Sequence, residues 1–148
     1  MDLIKKLEGI VNYIISKDEN GSWVIKDRSS NYGKDLSHRL FQFSVDLIKY
    51  LRTLPNTEEV RNIKRQLFKA GTSMAANYEE AQGAISKNDF SNKCGIVLKE
   101  SKESNFWLRL IKAADIDNSE TLDYLTQETK EYIAIFTSIQ IKTRPRKF

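Results

Sequence analysis

Between residues 34 and 142 apolar side chains return every third or fourth position, in four separate stretches. Leu36, Leu40, Phe43, Leu47, Tyr50 and Leu54 make the first, predicting a helix over residues 34–54 that Pro55 stops. Val60, Ile63, Leu67, Ala70, Met74, Asn77, Ala81 and Ala84 mark a second over 57–85, with Asn56 and Glu59 spaced as a cap pair. Phe90, Cys94, Val97, Ser101, Ser104, Leu108 and Ile111 mark a third over 88–114, opened by Ser86 and Asp89 at capping-box spacing. Leu122, Leu125, Thr129, Tyr132, Phe136 and Ile139 mark a fourth over 120–142. The 3-4 alternation packs neighbouring helices at about 20° in a left-handed bundle. The connectors, near Pro55-Asn56, Ser86-Lys87 and Asp115–Ser119, are short and favour antiparallel neighbours. The expected fold is all-α: an up-and-down antiparallel four-helix bundle.

Residues 1–33 read as an extension and 34–148 as the bundle with a basic C-terminal tail. Asp2 to Lys17 carries Leu3, Leu7, Ile10 and Ile14 on one helical face, predicting an extra N-terminal helix. Asp18-Glu-Asn-Gly-Ser22 breaks it, and Trp23 to Ser30 leads into the bundle. Covering a bundle end or groove is its simplest role. Lys5, Lys6 and Lys17 are offset by Asp2 and Glu8, which disfavours a membrane-surface helix.

The second helix is unusual in what it turns inward. Gly71, Ser73, Asn77 and Ala81 stand where Leu and Ile are ordinary, so this stretch needs either close helix contact or a polar partner. Ser73, Asn77 and Glu80 share one stripe, and Lys99, Glu103 and Phe106 share another on the third helix. A hydrogen-bonded network fixing register, within the bundle or across a subunit interface, accounts for these residues. A small-molecule site and plain solvent exposure stay open.

Composition fits one globular domain: 148 residues, 40% hydrophobic and 30% charged. No run of 18 apolar residues exists to span a membrane, and the N-terminus lacks a signal-peptide pattern. A lone cysteine, Cys94, excludes an intrachain disulfide and points to a reducing cytoplasm. Charge is uneven around a net +4. Residues 115–141 hold one lysine against six acids, whereas Lys142, Arg144, Arg146 and Lys147 make the tail wholly basic. Arg61, Lys64, Arg65 and Lys69 cluster on the outer side of the second helix. These two sets are candidate nucleic-acid contacts through counterion release, or an ordinary solvated face and tail.

No catalytic constellation emerges. Glu79, Glu80, Asp89, Glu100 and Glu103 supply carboxylates, but the sole histidine, His38, has no Glu-x-x-His frame for a dimetal site. Cys94 lies on an apolar seam, where an inert thiol is the default, and no glycine-rich phosphate loop occurs. The expectation is a protein without enzymatic activity, metal or cofactor.

Several segments carry a family resemblance: Val24-Ile-Lys-Asp-Arg-Ser-Ser, Arg65-Gln-Leu-Phe-Lys-Ala-Gly-Thr-Ser-Met-Ala-Ala-Asn77, Glu80-Ala81, Ala84-Ile-Ser86, Asp89-Phe90, Lys99-Glu-Ser-Lys-Glu103 and Phe106-Trp-Leu108. Across about residues 24–142 the chain resembles the bacterial four helix bundle protein family, named for proteins encoded in intervening sequences of large-subunit ribosomal RNA genes. That family also contains the accessory variability protein of diversity-generating retroelements. Met74 and Ala75 stand where Ile and Gly or Pro are usual, and Phe106 where Tyr is common. The resemblance implies a ring-shaped homopentamer with no known catalytic activity. Its retroelement members bind nucleic acid and a reverse transcriptase through a basic surface, which makes RNA or DNA and such an enzyme the expected partners. A protein-binding module with no nucleic-acid role, docking through the N-terminal helix or a bundle groove, is the alternative.

Overall fold

The computed structural model describes residues 13–27 and 36–144. Four helices make the body: α1 (Leu36–Leu51), α2 (Glu58–Gln82), α3 (Lys87–Ala113) and α4 (Glu120–Thr143). Cross-helix contacts give the topology. Glu80 meets Lys93 and Met74 meets Ser101, so α2 and α3 run antiparallel. Ser91 meets Gln140 and Asn105 meets Thr129, so α3 and α4 do too. Tyr50 reaches Asp117 while Arg39 reaches Glu128, which closes α4 antiparallel onto α1. The fold is the all-α up-and-down bundle that the apolar spacing predicts.

Each helix ends for a local reason. Ser86 caps α3 by accepting from Asp89 N at 3.0 Å, as its spacing predicts, and Ser119 caps α4 through Leu122 N at 3.2 Å. The Asn56 cap is not formed. Thr57 holds the N-cap position of α2 without a side-chain bond, and Asn56 instead accepts from Lys64 Nζ. An ammonium partner gives that amide oxygen a charge-assisted bond, which a neutral backbone N–H cannot match. At the end of α3, Asp115 takes the left-handed conformation (φ 57°), and Ile116 N donates back to Ile111 O at 3.1 Å.

The N-terminal extension departs from expectation. Tyr13–Lys17 forms strand β1, paired antiparallel with β2 (Trp23–Asp27), so the extra helix does not continue through residues 13–17; residues 2–12 lie outside those described. Tyr13-Ile-Ile and Trp23-Val-Ile are aromatic and β-branched, which suits a pleated pair better than a helix. The connection supplies the rest. Asp18 Oδ1 accepts from Asn20 N and Ser22 N, both at 2.9 Å, and Gly21 takes a positive φ of 79°. Trp23 then packs on Phe90 at the start of α3, ring centroids 5.6 Å apart.

Every apolar seam position named for α1, α3 and α4 is buried. In α2 the seam slips by one residue: Tyr78 is fully buried against Phe136, while Asn77 is half-buried. A straight helix turns every 3.6 residues, so a strict 3-4 count drifts off the core over long stretches. The larger apolar area of Tyr78 settles which neighbour faces in. Gly71 shows the tightest approach: a Cβ there would run into Leu47 Cδ2 and sit 3.6 Å from Phe43 Cε1. Leu47 and Phe43 are fully buried, so Leu47 Cδ2, the far end of its side chain, would have to shift within a packed core.

Gly71→Ala therefore loses about 1 kcal/mol, because about 1–3 kcal/mol of overpacking exceeds the gain in helix propensity. Gly71→Val loses more. Urea midpoints check both, and an alanine variant more stable than the parent would show that Leu47 can move aside.

Candidate nucleic-acid interface

Burial of Val60, Ile63, Leu67 and Ala70 fixes the rotation of α2 and turns Arg61, Arg65 and Lys69 outward, all exposed. Their four-residue spacing advances about 6 Å per step along the helix. Arg52, just past α1, is exposed beside them. Among the described residues, Arg52, Arg61 and Arg65 make no ion pair. Lys69 lies near Glu100, whose carboxyl is held above its ordinary value by burial first and by the like charge of Glu103 second. Lys64 is committed to structure. Its Nζ donates to Leu54 O at 2.8 Å and Asn56 Oδ1 at 3.0 Å, pinning the turn between α1 and α2.

Two depressions flank this row and share Arg65. One, of about 780 Å³, is lined by Glu58, Glu59, Arg61, Asn62 and Arg65. The other, of about 480 Å³, lies between α1 and α2 and is lined by Ile48, Leu51, Arg52, Asn56, Lys64, Arg65 and Phe68.

The tail cations do not join this face. Lys142 and Arg144 are exposed near Ser91, at the end of the bundle where α2 finishes, about 30 Å of helix from Arg61. Arg144 Nε donates to Gln140 Oε1 at 3.0 Å, and Arg146 and Lys147 lie outside the described residues.

The stripe of Ser73, Asn77, Glu80, Lys99 and Glu103 forms no single network. Asn77 Nδ2 turns back on its own helix, donating to Ser73 O and Oγ, both at 2.8 Å. Glu80 pairs with Lys93 at 2.8 Å across the α2–α3 surface, and Glu103 accepts from Trp107 Nε1 at 3.4 Å. Lys99 is exposed. The buried polar contacts lie instead between α3 and α4. Gln140 Nε2 donates to Ser91 O at 2.5 Å, Thr143 Oγ1 to Ser91 Oγ at 2.8 Å, and Asn105 Nδ2 to Thr129 Oγ1 at 3.1 Å. Of the hydroxyl seam positions only Thr129 signalled these contacts; Ser101 donates to Met74 Sδ and Val97 O, and Ser104 to Glu100 O of its own helix.

Two further polar clusters tie α1 to α4. Arg39 forms a two-point pair with Glu128 (3.0 and 2.7 Å), also contacts Glu131, and lies 5.2 Å from the Tyr132 ring centre. Tyr132 donates to Glu128 Oε2 at 2.7 Å. Lower down, Tyr50 and Ser119 both donate to Asp117 Oδ2, at 2.8 and 2.6 Å, at the edge of a cleft of about 510 Å³. The Ser119 hydroxyl foremost holds the Asp117 carboxyl below its ordinary value. Cys94 is buried and its thiol is pushed up to about 12 by desolvation, which leaves it an unreactive thiol near neutrality. Among the described residues no group of three or more His, Cys, Asp or Glu gathers to hold a metal ion. Nor, among them, is any helix long and apolar enough to cross a membrane.

The pattern of the 23S rRNA-intervening sequence protein family matches residues 35–138, the whole four-helix body but its last turn. The chain belongs to this family. A protein of unknown function from the S23 ribosomal protein family of Bacteroides thetaiotaomicron has a similar crystal structure, solved at 1.70 Å. It is 28% identical with a TM-score of 0.65, covering 71% of this chain and 97% of that one. No curated protein matches.

In this chain, burial foremost keeps the Tyr50 and Tyr132 phenols protonated well above their ordinary range, with Asp117 and Glu128 adding to the effect. The unfolded chain ionises these phenols near pH 10 while the folded chain keeps its protons. Their contribution to stability is thus complete below about pH 10 and declines as pH rises above it. Chemical denaturation between pH 8 and 11 tests this. Tyr132→Phe should flatten the alkaline decline relative to the parent, and an unchanged slope would reject the assignment.

Proposed function

We propose that this chain is a cytoplasmic, non-enzymatic scaffold that assembles as a homopentamer and associates with RNA or DNA through the outer face of α2. In that role it serves as an accessory to a nucleic-acid enzyme such as a reverse transcriptase. The observation that carries this reading is the row Arg61, Arg65 and Lys69, exposed at regular spacing, with Arg52 alongside. Arg52, Arg61 and Arg65 have no ion pair to break before meeting phosphate. Each contact releases condensed counterions, so affinity rises steeply as salt falls. A net charge of only +4 is modest for this task, but a closed ring repeats the same row on every protomer and concentrates its field. Lys142 and Arg144, at the other end of the bundle, form a second and separate basic group.

Fluorescence anisotropy with structured RNA, single strands and duplex at low salt tests the binding. Arg61→Glu with Arg65→Glu should weaken it by about tenfold or more, as two reversed contacts on a salt-dependent surface require. Lys142→Glu with Arg144→Glu should weaken it less. No binding to any of the three nucleic acids would end the proposal. Light scattering tests the assembly: the expected mass is five times the 17.2 kDa protomer, and a clean monomer at micromolar concentration would refute the ring.

A further inference from the structure

The depression between α1 and α2 differs in chemistry from the one beside it. Glu58 and Glu59 line its neighbour, whereas no carboxylate is among the described residues lining this one. Its inner surface is apolar: Leu51 is buried, Ile48 half-buried, and Phe68 presents a ring that is 48% exposed. Its edge is cationic, with Arg52 and Arg65 exposed and Lys64 half-buried. The Lys64 ammonium bonds only neutral oxygens of Leu54 and Asn56 there, so its charge stays uncompensated while its position is fixed. A half-exposed aromatic ring beside one fixed ammonium and two exposed guanidinium groups suits a ligand that offers a flat π-face and a phosphate within one residue of each other.

Duplex nucleic acid does not offer that combination. Its base faces are already stacked and only its phosphates reach outward, so the apolar surface would stay unfilled. An unpaired strand exposes both groups on each nucleotide. A volume of about 480 Å³ accommodates a base with its sugar. The four-residue spacing of Arg61, Arg65 and Lys69, about 6 Å per step, matches the reach of one extended nucleotide and continues the track beyond the depression.

We infer that the α1–α2 depression is a seat for an unpaired polynucleotide strand, with one base against Phe68 and its flanking phosphate on Arg52 and Arg65. This rests on the nucleic-acid reading above and narrows it to single strands. The full chain is titrated against four fluorescent probes: an intact DNA strand, the same strand carrying abasic sites, the RNA strand of that sequence, and its DNA duplex. Intact DNA and RNA strands should both bind at least tenfold more tightly than the abasic strand or the duplex. Phe68→Ala should cost the intact strands about tenfold, the scale of one lost stacking contact, and leave abasic and duplex binding unchanged. Arg65→Glu should weaken all four. Equal binding of duplex and intact strand, or of abasic and intact strand, would overturn the inference while leaving the nucleic-acid reading in place. Binding to none of the probes would remove both. The abasic comparison uses the parent protein, so the result stands even if a Phe68 variant fails to fold. Displacement of the strand by a free mononucleotide at equal concentration would overturn the assignment to a polynucleotide.

Discussion

Helix α2 approaches α1 as closely as it does because residue 71 has no side chain. Leu47 occupies the space that a Cβ would need, and Phe43 closes the contact from the next turn. Dispersion and apolar burial reward that approach, while an added Cβ would force Leu47 Cδ2 to shift within the packed core. The consequence reaches the surface. Phe68, three residues before Gly71, is carried to the edge of α1, and Arg65, one turn earlier, is carried beside Ile48 and Arg52. A wider separation of the two helices would dissolve the depression that these side chains share. Gly71 is thus both a packing device and the reason the α1–α2 face has its shape.

Elsewhere the bundle is joined by polar contacts of definite geometry. Ser91, Gln140 and Thr143 interlock α3 with α4, and Gly95 leaves the room through which Gln140 reaches across, a Cβ there falling 3.1 Å from its Oε1. Arg39, Glu128 and Tyr132 join α1 to α4, with Phe43 edge-on to Tyr132 at 5.6 Å. Buried groups of this kind contribute modest net stability, yet leaving one unpaired is costly. They penalise a slipped or rotated helix more than they reward the correct one. The apolar seams make the helices associate, and the polar pairs select one register.

The seams were legible because burial repeats with the helical period, and Phe43, Leu67, Val97 and Phe136 all face inward as their spacing requires. The exceptions have separate causes. Asn77 loses its seam position to Tyr78 because helical drift over α2 outruns a fixed count. Tyr13–Lys17 follows β-propensity and the Asp18 turn, although Leu3, Leu7, Ile10 and Ile14 keep helical spacing. Within one chain Ser73, Asn77, Glu80 and Glu103 make separate contacts, those of Asn77 and Glu103 inside one helix and that of Glu80 between α2 and α3, since a shared stripe says nothing about which helix faces it. Likewise the basic residues look like one group when counted along the chain, and antiparallel topology sends Arg61 and Lys142 to opposite ends.

By itself the sequence determined the class of fold, the four helices of the bundle and their short antiparallel connections, which follow from periodicity and local residue chemistry, while its motifs carried the family resemblance. Only the tertiary structure decided which polar groups are buried together, how closely α2 approaches α1, and that Phe68 shares one depression with Arg52 and Arg65. Those are relations between helices. The positions of side chains across a helix pair depend on the rotation and separation of both, and neither quantity is written in the spacing of one.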